Sequence, residues 1–88
     1  MANIFIVKQQ LPARQFQGNN GMVTVVELLL SDGTDSFVAT LNERDTTTVL
    51  QQPLTPGTTI SAILSFNAVK GQSGYFQNVR ILKFGIYV

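Results

Sequence analysis

Four clusters of turn-forming residues cut this 88-residue chain into short segments: Gly18-Asn19-Asn20-Gly21, Ser31-Asp32-Gly33-Thr34-Asp35, Pro56-Gly57 and Lys70-Gly71-Gln72-Ser73-Gly74. Each supplies residues that reverse the backbone through positive φ, a fixed φ or a local side-chain hydrogen bond. Residues 4–11 are β-rich and close at Pro12, which cannot donate to a ladder. Residues 22–30 run through Val23, Val25, Val26 and Leu28 as a second, longer strand, and the two read as a hairpin. Residues 36–41 alternate Phe37, Ala39 and Leu41 against Ser36, Val38 and Thr40, so this third strand pairs back on the second.

Between Leu41 and Thr58 the pattern weakens. Asn42 reads as a cap for a helical turn, with Asp45 three positions on, but the β-branched run Thr46-Thr47-Thr48-Val49 disfavours helix. The expectation is a connector with at most a short helix. Pro56-Gly57 offers a type II turn, after which Ile60, Ala62, Leu64 and Phe66 lie on one face of a fourth strand. Residues 75–87 form the last strand, whose phase slips near Arg80 as a bulge would make it. This order, β-β-β-connector-β-β, predicts an all-β fold, a five-stranded OB-type Greek-key barrel occupying residues 1–88 as one domain. An SH3-like barrel or a small sandwich would produce a similar string.

Composition narrows the function. A chain of this length buries only about 60% of its unfolded surface, and this one has no cysteine to staple it. With 44% hydrophobic and 12% charged residues it is lean in surface charge for a monomer, which points to a homodimer. The absence of histidine and cysteine removes the usual neutral-pH base, the thiolate nucleophile and nearly all zinc chemistry. The five acids read as turn or capping residues, except Glu27, which interrupts an apolar strand and either pairs a cation such as Lys8 or faces solvent. The glycines never form a phosphate-loop spacing. No catalytic residue, metal or cofactor is assigned, and the chain is expected not to be an enzyme. No signal peptide is read at Met1-Ala2-Asn3-Ile4, no apolar stretch approaches 18 residues, and the lack of cysteine fits a reducing cytoplasm.

The features that suggest a function are cations and aromatics around loops. Lys8, Arg14, Lys70, Arg80 and Lys83 fall on or beside the first and last strands, accompanied in sequence by Phe16, Tyr75 and Phe76. A single nucleic-acid strand calls for this mixture, because phosphates attract cations and unpaired bases stack on aromatic rings for about 1–3 kcal/mol each. Net charge is only +1, so the placement of the cations must carry the argument. Tyr75, beside a glycine-rich loop, reads as a stacking residue; Phe76, with Val79 and Ile81 after it, reads as core. Arg44 serves either the connector cap or a phosphate.

The stretch Pro53-Leu54-Thr55-Pro56-Gly57-Thr58-Thr59-Ile60-Ser61-Ala62-Ile63-Leu64-Ser65-Phe66, with Gly71-Gln72, Gly74 and Arg80-Ile81-Leu82-Lys83, resembles the C-terminal half of the gene V type single-stranded-DNA-binding proteins of filamentous phages. Gln17-Gly18 and the Glu27 strand leading into an Asp-Gly turn look like the same layout more loosely. The resemblance covers about half the chain. It implies an OB-type fold, an obligate two-fold dimer in the host cytoplasm, and cooperative, sequence-independent coating of single-stranded DNA during replication. Such proteins carry an aromatic at the tip of the loop between the last two strands; here that position looks like Ser73, which leaves Tyr75 as the substitute. Arg80 matches a basic position the family uses near DNA, Arg14 is similar in placement to cations of its first extended loop, and Met22 stands where the family has an early strand-two aromatic. The expected partners are single-stranded DNA, with RNA accepted by the same chemistry, and a second copy of the chain. The alternative is a structural or assembly β-barrel without DNA affinity; a ligand-binding or hydrolytic barrel is a remote third.

Overall fold

The computed structural model describes residues 3–87, apart from the side chain of Val69. Its elements are β1 (Asn3–Gln10), β2 (Arg14–Gly18), β3 (Gly21–Val25), β4 (Glu27–Ser31), β5 (Ser36–Leu41), α1 (Glu43–Gln51), β6 (Thr59–Gly71) and β7 (Gly74–Ile86). Five strands close into a barrel in the order β1-β4-β5-β7-β6, with β6 returning to β1. Every pairing is antiparallel except β5 with β7, which run parallel through Thr40–Arg80 and Leu41–Ile81. This is the all-β, five-stranded OB-type topology, with a helix between the third and fourth barrel strands.

Alternation builds the interior. Phe5 and Val7, Leu28 and Leu30, Ala39 and Leu41, and Ile60 and Ala62 all point inward at period two, and Ile81 and Val26 join them. Closure leaves the barrel strands with few exposed edges.

The connector holds a longer helix than its threonines suggest: α1 has nine residues and seats Val49 in the core. Burial outweighs the weak propensity of the β-branched run. The cap is the one the sequence indicates, for Asn42 Oδ1 accepts from the Asp45 amide at 2.8 Å. Asn42 Nδ2 donates in turn to Asp45 Oδ2 at 2.9 Å and to the Leu82 carbonyl at 3.0 Å, which ties the start of the helix to β7. Gln10 holds the other end, donating to the Val49 carbonyl at 3.4 Å and accepting from the Leu54 amide at 2.8 Å. Asn42→Ala is therefore expected to destabilise the protein by about 1–2 kcal/mol, the upper range for a lost N-cap, as read by urea denaturation.

Three expectations are corrected. The second strand is not continuous: it breaks at Val26, which turns into the core, and its first half pairs with β2 as a separate two-stranded wing while its second half, β4, enters the barrel. The Gly18–Gly21 turn is the tip of that wing, so the β1–β4 hairpin is closed by the wing rather than by a tight turn. Phe76 is not core but 60% exposed, and its ring covers Gly71 on the facing strand, where an added Cβ would collide with it. The apolar face begun by Ile60, Ala62 and Leu64 does reach Phe66, yet Phe66 lies past the end of the barrel and is 64% exposed. The slip in the last strand is a bulge at Leu82, two residues from Arg80, and a second bulge puts Lys8 out of register on β1.

Candidate nucleic-acid interface

Two projections leave the barrel. The wing of β2 and β3 extends from the β1–β4 connection, and the far part of the β6–β7 hairpin continues as a two-stranded ribbon to the Gly71–Gly74 turn. Between their bases lies the outer face of β4 and β5, carrying Glu27, Leu29, Val38 and Thr40, the residues that alternate with the buried ones. In OB folds this face and these two loops are the customary oligonucleotide surface.

The wing and the ribbon approach each other. Phe16 and Val23 of the wing, Thr40 of β5, Glu43 of α1 and Asn78 and Arg80 of β7 line a cleft of about 330 Å³. Phe16 lines this space and is 51% exposed. The register gives the ribbon two faces: Arg80, Asn78 and Phe76 share one with Asn67, while Tyr75, Gln77 and Val79 share the other with Lys70, Ala68 and Phe66. The structure thus brings Phe16 and Arg80 together, and sets Tyr75 opposite Lys70 at the ribbon tip, on the alternate face from Arg80. Tyr75 is 72% exposed there.

The remaining sites spread further. Arg14 forms a 2.8 Å ion pair with Glu27, so Glu27 finds its cation on the wing and not at Lys8. Lys8 lies exposed at the β1 bulge, away from the cleft. Met22 lies with Thr24, Thr46 and Leu50 in a separate cleft between the wing and α1. Arg44 sits on α1, 4.0 Å from Asp45. Lys83 follows the Leu82 bulge, paired in register with Ile63 and lining a shallow pocket with Ser61 and Gly85. Among the described residues, Lys8, Lys70, Arg80 and Lys83 form no ion pair.

The charge distribution is asymmetric. All five acids lie at or before Asp45, so the chain beyond it has three cations, Lys70, Arg80 and Lys83, and no acid. The β6–β7 hairpin is therefore purely cationic within a molecule of net charge +1. The acids near the turns serve structure: Asp32 Oδ1 accepts from the Thr34 and Asp35 amides, both at 2.8 Å. These bonds, led by the one from Asp35, hold its carboxyl below the ordinary aspartate range.

Asn78 is the cleft residue that cations and aromatics did not point to. Its signal was the period-two phase of β7, which puts it on the face of Arg80. Among the described residues no group of His, Cys, Asp and Glu could hold a metal ion, and no helix is long and apolar enough to cross a membrane. No protein-family model and no curated protein matches the chain.

Proposed function

We propose that the protein binds single-stranded nucleic acid, DNA in the first place, across the β4–β5 face between wing and ribbon, and coats it as a homodimer without catalysing a reaction. The observation that carries this reading is the convergence of Phe16 with the unpaired Arg80 at the base of an acid-free, cationic hairpin. Phosphates are drawn to the hairpin, and bases find an open ring on the wing and another at Tyr75. The resemblance of residues 53–83 to the gene V type proteins supports the same role, in phage replication within the host cytoplasm. Dimerisation is supported by the exposed apolar side of the ribbon, where Phe66, Leu64 and Val79 join Ile4, Phe5 and Phe37 around a groove of about 620 Å³.

The test is a low-salt gel shift with oligo(dT) beside a duplex of equal length, with light scattering on the same sample. Retarded oligo(dT), an unshifted duplex and a dimer mass are expected. A protein that self-associates yet retards neither would be a structural subunit, and a monomer at tens of micromolar would end the coating mechanism. If Lys70, Arg80 and Lys83 each neutralise one phosphate, log affinity should fall against log salt with a slope of about 3 × 0.7, roughly 2.1. Arg80→Ala should bring the slope to about 1.4. An unchanged slope would remove Arg80 from the interface.

A further inference from the structure

We propose that the cleft between wing and ribbon is a base-reading pocket that favours a nucleobase with an exocyclic amine, cytosine or adenine, over thymine or uracil. The inference rests on the single-strand reading above and adds to it a composition preference that coating alone would lack.

The cleft's volume of about 330 Å³ lies at the small end of the range for small-ligand sites, about 300–1,000 Å³. Phe16 supplies the stacking surface on the wing side. The polar groups opposite it differ in their freedom. Asn42 lines the cleft but is spent, since its amide caps α1 and bonds Asp45 and Leu82. The hydroxyl of Thr24 already accepts from Gln15 Nε2 at 3.3 Å. Asn78, half-buried on the Arg80 face, makes no side-chain hydrogen bond among the described residues, and neither does Thr40, the register partner of Arg80. A primary amide both donates and accepts, so Asn78 suits the edge of any base and selects none.

Glu43 breaks that symmetry. It begins α1 at the cleft wall, and it bonds no other side chain among the described residues. A carboxylate accepts and cannot donate, so it favours the N4 amine of cytosine or the N6 amine of adenine and repels the O4 carbonyl that thymine and uracil offer in that place. Glu43 is also the one acid in a cleft otherwise suited to a polyanion, where its charge costs affinity for phosphate. Its place in the first turn of α1 suits the helix dipole, and base selection gives the same carboxylate a second use.

Cytosine and thymine are of equal ring size, so they isolate the contact from stacking and reach. Fluorescence anisotropy at fixed low salt and pH 7.5 would compare labelled oligo(dC) and oligo(dT) of equal length on the wild-type protein and on Glu43→Gln. Wild type is expected to bind oligo(dC) about fivefold to tenfold more tightly. Glu43→Gln, whose amide donates as well as accepts, is expected to bring the two within twofold, mainly by raising affinity for oligo(dT). Equal wild-type affinities would overturn the pocket and leave the single-strand reading standing. A preference that persists in Glu43→Gln, with both affinities raised alike, would also overturn it, since Glu43 would then act only as a repelling charge. Failure of wild type to bind either polymer would overturn the reading beneath it. Should Glu43→Gln not fold, Glu43→Ala replaces it at the same exposed position and is expected to bring oligo(dC) and oligo(dT) within twofold; an undiminished preference for oligo(dC) would reject the pocket.

Discussion

Leu28→Ala is expected to lower stability by about 3–5 kcal/mol and the melting temperature by roughly 12–20 °C or more. Leu28 is fully buried as the second residue of β4, paired with Gln10 of β1 on one side and Ala39 of β5 on the other, and faces into the barrel. Its neighbours there belong to a closed sheet, which cannot slide inward to fill a void as loosely packed helices can, so the cavity term should be near its maximum. The whole stability of a domain this size is on the order of 4–13 kcal/mol at about 0.05–0.15 kcal/mol per residue. One substitution therefore threatens a large share of it, and the protein should sit close to unfolding at 37 °C. Urea denaturation of both proteins measures the difference. A loss below about 1 kcal/mol would mean that the interior collapses around alanine and that the barrel is less rigid than its closure implies.

Tyr75→Ala is expected to cost about 1–3 kcal/mol of single-strand affinity while leaving the melting temperature unchanged, and Tyr75→Phe to retain most of the affinity. Stacking uses the ring and not the hydroxyl, so the two substitutions separate it from hydrogen bonding. The location of Tyr75 matters here: at 72% exposure beside Lys70 on the ribbon tip, its ring supports no core that its removal could weaken. A buried aromatic would instead lose roughly 3–5 kcal/mol of stability on truncation. Binding curves and thermal melts taken together read both quantities. Normal affinity in a folded Tyr75→Ala protein would take the tip out of the interface and leave Phe16 and Arg80 as its centre.

The turn clusters and the period-two alternation were enough to determine an all-β chain of short strands, whereas the choice of a closed OB-type barrel over an SH3-like barrel or a sandwich was made by the parallel pairing of β5 with β7. Asn42 as cap, the positive φ of Gly57 after Pro56 and of Gly33 in the Asp32 turn, and the inward rows of β4 and β5 are local consequences of local residues. The break at Val26 could not be read that way, because the apolar run continues across it, with Val23 and Val25 before and Leu28, Leu29 and Leu30 after, and no turn-forming residue interrupts it. What splits the strand is the competition between two partners, β2 for its first half and β1 for its second. Helix α1 is a similar case: its threonines argue against it, and only the core around Val49 and the clamps at Asn42 and Gln10 make it nine residues long. Phe76 and Phe66 look apolar and central in the sequence, yet the β6–β7 hairpin outruns the barrel and carries both into the open. Residue chemistry thus set which side chains could meet bases and phosphates; the meeting of Phe16 with Arg80, 64 positions apart, arose only when the barrel closed and brought wing and ribbon to the same face.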